Sequence, residues 1–180
     1  MKSVFSLLLA VSFFAVPHLT RAEEADTLAV SEFTFKYGKP WIRQQVTSSM
    51  RAGQLTYDFE DEKIEDVDLV IYFFGQGQGG GIKANLDRWV GQFEGTPESK
   101  IEEKDIGGRK VSFLTAKGTY MDSMGGPFSG NKTAKENHMM LAAILPSDQG
   151  AVFLKLTGPQ ASVEAMMADF EKFAASPFAE

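Results

Sequence analysis

The chain has 180 residues, 43% of them apolar and 12% aromatic, with a formal charge of −6 and no cysteine. Such a composition builds a packed core rather than a disordered chain. The lack of cysteine excludes disulfides, thiol catalysis and Cys-ligated metal sites. The negative balance, with no Lys/Arg cluster, argues against nucleic acid and against anionic membrane surfaces, which both require a basic patch.

Residues 1–22 read as a secretory signal peptide. Lys2 supplies the positive start, Val4 to Val16 the apolar stretch, and Thr20-Arg21-Ala22 a cleavage site before Glu23. The apolar stretch is short for a membrane span, so no stable membrane insertion is expected after cleavage. Cleavage removes Lys2 and Arg21 and no acid, leaving a mature charge of −8. The expectation is export to the periplasm or the extracellular space, with residues 23–180 as a single α+β domain.

Leu28 to Tyr37 alternates as a first strand, with Phe33 and Phe35 on one face. Trp41, just after the Gly38-Lys39-Pro40 turn, is expected to plug the core under an edge strand. Met50 to Phe59 reads as a second strand, and Glu60 to Asp66 as an acidic connection. Val67 to Phe74 is apolar at nearly every position, which suits a central strand buried on both faces. A glycine loop follows. Ile82, Leu86, Trp89, Val90 and Phe93 then recur at helical spacing and predict an amphipathic helix, with Asp87, Arg88 and Gln92 opposite.

Glu94 to Lys104 is polar, and Lys110 to Met121 predicts a long strand. Asp122 to Glu136 reads as a long Gly/Ser/Asn/Lys-rich loop, of a length that marks function or mobility. His138 to Leu145 and Ala151 to Thr157 predict a hairpin. A last helix is expected from Pro159, with Val163, Met166, Met167, Phe170 and Phe173 as its core stripe and Ser176-Pro177 as its end. The order β-β-β-α-β-β-β-α predicts an α+β layered sandwich: a mainly antiparallel sheet covered by two helices.

Gly75-Gln76-Gly77-Gln78-Gly79-Gly80 satisfies the G-x-G-x-x-G pattern between a strand and a helix. The region about 20 residues on is polar rather than a second parallel strand, so a dinucleotide site is not expected. A simple strand-to-helix crossover is the plainer reading. The alternative is an anion site at the helix start, with Gly75, Gly77, Gly79, Gly80 and Lys83 as candidates. The Asp122–Glu136 loop supplies a second candidate set for recognition: Asp122, Gly125, Gly126, Asn131 and Lys132.

His138 is the one histidine beyond the signal segment and begins an apolar strand, so it reads as an edge residue rather than a general base. Glu60, Asp61, Glu62, Glu65, Asp66 and Asp68 lack the spacing of a calcium loop and read as a solvated acidic turn. Met139, Met140, Met166 and Met167 read as core filling.

Ser48-Ser49-Met50-Arg51, the block Ala84-Asn85-Leu86-Asp87-Arg88-Trp89-Val90-Gly91-Gln92-Phe93 and Leu156-Thr157-Gly158-Pro159 resemble a family of uncharacterised exported bacterial proteins. More remotely, the order of hairpin, tryptophan, central helix and C-terminal helix is similar to the PsbP-like α/β sandwich. That resemblance implies a non-catalytic assembly or interaction module. The expected function is therefore an exported binding module without cofactor or metal, for a protein partner or small ligand. The alternatives are an anion- or nucleotide-binding domain built on the Gly75–Gly81 loop, and a hydrolase using the acidic-turn carboxylates or His138.

Overall fold

A computed structural model describes residues 25–123 and 132–179. Residues 1–22, expected to be a signal peptide, and the candidates Gly125, Gly126 and Asn131 lie outside the described residues. The strands are β1 (Asp26–Val30), β2 (Phe33–Tyr37), β3 (Trp41–Arg43), β4 (Gly53–Tyr57), β5 (Val67–Phe73), β6 (Glu98–Ile106), β7 (Arg109–Ser123), β8 (Lys132–Leu145) and β9 (Val152–Pro159). The helices are α1 (Ile82–Val90), α2 (Gln160–Ala165) and α3 (Met167–Ala175), and a 3-10 turn spans Ser176–Phe178.

β1 and β2 form a separate antiparallel hairpin. The other seven strands form one antiparallel sheet in the order β3-β4-β5-β9-β8-β7-β6. The alternation of the strands divides the apolar residues between two faces. On one face Leu55, Leu69, Ile71, Leu141, Ala143, Leu154 and Leu156 meet the β1–β2 hairpin and the two C-terminal helices. Phe173 of α3 ties these layers together. It stacks on Phe35 at 4.9 Å and 12°, and lies 5.7 Å from Trp41.

On the opposite face α1 lays Leu86 and Trp89, with Phe93 just beyond it, on Leu114, Met140, Ala142, Ile144 and Phe153. α1 thus covers the β7–β8–β9 part of that face. The part over β4 and β5 carries Gln54, Thr56, Asp68, Val70 and Tyr72 instead, and no helix among the described residues lies on it.

The α+β sandwich agrees with the expectation, as do the buried Trp41 and Trp89. Six details differ. The stretch read as one strand over 28–37 is a hairpin, bent at Ser31, whose φ of 55° no turn motif announces. The strand read as buried on both faces, β5, alternates: Val67, Leu69 and Ile71 are buried, while Asp68 is exposed and Val70 and Tyr72 are half-buried. The strands buried on both sides are β8 and β9, because α1 and the C-terminal helices sandwich them.

The polar stretch after α1 contains β6, an edge strand. Its alternating charges pair across to β7 through Glu103–Lys110 at 2.9 Å and Glu98–Lys117 at 3.3 Å. Charge on an edge strand blocks pairing with other chains, and it also hides the strand from a hydrophobicity reading. The region read as a loop from Asp122 to Glu136 is strand at both ends. After a bulge between Gly118 and Tyr120, β7 and β8 continue as a polar ribbon down to Ser123 paired with Lys132.

The last helix is two short ones broken at Met166 (φ −107°), and Pro159 is the final strand residue rather than the first helical one. Ile82, placed in the core stripe of α1, is 37% exposed; the buried residue of that first turn is Asn85.

Candidate functional site

The uncovered part of the α1 face is a groove of about 390 Å³, within the range of small-ligand sites. Its floor follows from strand register. Val70 of β5 pairs with Lys155 of β9, and Leu69 with Leu156, so Asp68 stands beside Thr157 one rank on. The β7–β8 ribbon brings Tyr120, Asp122, Lys135 and His138 to one side. Arg51, Glu65 and Asp66 stand on the other.

Most charges in the groove have identifiable partners. Asp122 pairs with Lys135 at 3.1 Å. Asp68 accepts from the Thr56 hydroxyl at 2.6 Å and from the Gln54 amide at 3.1 Å, and Arg51 donates to Gln54 at 2.6 Å. Asp66 accepts the backbone N–H of Phe59. His138 holds its Nδ1 2.9 Å from the carbonyl of Glu136.

Lys155 is different. Its partly buried ammonium donates to Gln92 Oε1 at 2.7 Å and to the Tyr120 hydroxyl at 3.3 Å, and forms no ion pair among the described residues. Burial lowers its pKa to about 8, helped by the nearby Arg88 charge and opposed by Asp122. Burial also raises the pKa of Tyr72, against the pull of Arg51 and Arg88, and that of Tyr120, where Asp122 adds to the rise. Both phenols therefore stay neutral donors at physiological pH.

A buried ammonium with neutral partners costs stability. The sign follows from its lowered pKa. Between about pH 8 and 10.5 the unfolded chain holds the proton and the folded chain does not. Stability from this group therefore rises with pH across that window, and its cost is fully present below pH 8. Lys155→Met is expected to stabilise the chain at pH 7 by about 1–3 kcal/mol. The gain should shrink toward pH 10.5, as urea unfolding of both forms at pH 7 and pH 10.5 would show.

The predicted candidates fall in three places. Asp122 lines the groove, and His138 and Asp66 join it. Lys132 starts β8 at the far end of the ribbon. Gly75, Gly77, Gly79, Gly80 and Lys83 lie at the other end of the sheet, where Gly75 touches Gly150 of the β8–β9 turn. The four glycines have φ between 72° and 88°. The loop carbonyls are held inward: the buried Asn85 amide donates to Gly79 O at 2.8 Å and to Gly81 O at 3.0 Å. Lys83 makes an exposed surface pair with Asp87 at 2.6 Å.

Sequence reasoning missed Lys155, Tyr72 and Arg51 as site residues. The available signal was the single lysine within Val152-Phe153-Leu154-Lys155-Leu156, an otherwise apolar strand.

A smaller cavity of about 260 Å³ opens on the other face between β6–β7 and α2–α3. Phe113, Met139, Leu141 and Phe170 contribute its apolar part, and Glu98, Glu102, Glu164 and Glu171 its acidic part.

Among solved structures, the chain is similar to cyanobacterial PsbP (CyanoP) from Synechocystis sp. PCC 6803. The TM-score is 0.51 and the identity 11%, over 90% of this chain and 96% of that one. It is also similar to a protein of unknown function from Pseudomonas aeruginosa, with a TM-score of 0.48 and 10% identity over 88% and 99% of the two chains. No protein-family model matches the sequence, and no curated protein does. The chain has a PsbP-like α+β fold.

Proposed function

We propose that this chain is an exported, non-catalytic binding module whose binding surface is the groove over β4, β5 and β9. The observation that carries the reading is Lys155, a cation kept in the sheet floor at a cost in stability, facing an open polar cavity. Proteins concentrate such costs at sites of function. The PsbP-like fold supports the reading, because it presents a broad sheet with one face only partly covered by a helix. Export follows from the signal-like residues 1–22, and the periplasm or extracellular space is the proposed compartment.

Native mass spectrometry of the protein purified from the periplasm of an expression host tests the reading. The wild-type chain is expected to carry added mass, a small ligand or a captured protein, that is shed on denaturation and is missing from Lys155→Met. Identical spectra for the two forms contradict it.

A further inference from the structure

The groove is lined by opposite charges that do not pair with one another. With Asp122 and Lys135 neutralising each other, there remain Arg51 and Lys155 against Glu65, Asp66 and Asp68. No ion pair joins these two sets among the described residues, although they share one cavity. Side-chain direction explains the separation. Lys155, in the rank of Val70, turns its ammonium toward Gln92 and Tyr120. Asp68, in the next rank beside Thr157, is held by Gln54 and Thr56 toward β4.

An ammonium has three protons to donate, and Lys155 uses two of them, on Gln92 and Tyr120. The third has no acceptor among the described residues. Asp68 accepts only from neutral groups, the Thr56 hydroxyl and the Gln54 amide, so its charge also lacks a counter-ion.

A simple anion would satisfy Lys155 but would be repelled by Glu65, Asp66 and Asp68. A simple cation would meet the converse problem at Lys155 and Arg51. A ligand carrying both charges neutralises both ranks at once. We propose that the groove takes a small zwitterion of the amino-acid or short-peptide class, with its carboxylate on Lys155 and its ammonium toward Asp68 and Asp66. Thr157, in the rank of Asp68, lines the same groove, and Tyr72 and Tyr120 flank it with apolar ring surface. The proposal rests on the groove being the binding surface.

The test is isothermal titration of the purified protein with free amino acids and dipeptides. The same dipeptides N-acetylated or C-amidated are titrated in parallel, with inorganic phosphate as the plain anion. At least one free dipeptide or amino acid is expected to bind, and capping either terminus should weaken it at least tenfold. Lys155→Met and Asp68→Asn, checked as folded by circular dichroism, should do the same. Phosphate binding as tightly as any zwitterion, equal binding of capped dipeptides, or no binding at millimolar concentration would overturn the proposal. A Lys155-dependent added mass in the native spectrum that is neither amino acid nor peptide would overturn the zwitterion alone and leave the binding module standing.

Discussion

Phe173→Ala is expected to cost about 3–5 kcal/mol, the largest loss from any single truncation considered. Phe173 is 2% exposed and sits where three parts of the chain meet. Its ring stacks on Phe35 of the N-terminal hairpin, tilts against Trp41 of edge strand β3, and belongs to α3 near the C-terminus. The β1–β2 hairpin is not hydrogen-bonded into the main sheet, so side-chain packing of this kind is what seats it on the core. Alanine would leave a cavity that backbone shifts in one element alone cannot fill. Urea unfolding should show a lower midpoint with an unchanged slope, and the melting temperature should fall by about 6–20 °C. Ligand capture should survive below the melting transition, because Phe173 lies on the sheet face opposite the groove.

Gly150→Ala should cost about 2–4 kcal/mol for a different reason. Gly150 adopts φ +120°, and a Cβ there would lie 2.5 Å from the carbonyl oxygen of Gly75 and 2.6 Å from its carbon. Both obstacles are backbone, so no side-chain rotation relieves them. The Ser147 hydroxyl further fixes the turn by donating to Gly150 O at 2.6 Å. Gly77→Ala is the control. Gly77 also has positive φ, at 72°, but no atom within 4 Å of a Cβ, so only the conformational penalty of about 1 kcal/mol applies. Thermal unfolding of the two variants should separate them by several degrees. Equal losses would mean that the contact between the two loops is not structural.

The fold was largely legible because burial here follows periodicity. Leu86, Trp89 and Phe93 at helical spacing, and the alternation that sets Phe33 and Phe35 on one face, each point to the face that the structure buries. Misreadings occurred where burial does not set the pattern. β6 and the β7–β8 ribbon are held by cross-strand hydrogen bonds and ion pairs between polar residues, so they look like loop. The hairpin at Ser31 has no glycine to mark it.

The groove was hidden for a topological reason. Arg51, Asp68, Tyr120, His138 and Lys155 come from five separate segments that meet only through sheet order. The most conspicuous motif, the glycine loop, lies instead at the opposite end of β9, where part of its glycine content serves close packing. A Cβ on Gly79 would come within 2.9 Å of Phe74 and 3.0 Å of Phe153.

The central claim is that the open half of the α1 face is the binding surface. Site-specific photocrosslinking in the native host tests it most directly, with a benzophenone side chain placed in turn at Tyr72, at Val70 and at Ile101. Tyr72 and Val70 line the groove, whereas Ile101 is 51% exposed on edge strand β6. The account predicts a discrete adduct from Tyr72 and Val70, lost when Lys155→Met is added, and none from Ile101. Adducts from Ile101 with none from the groove positions would contradict it and move the binding surface to the sheet edge.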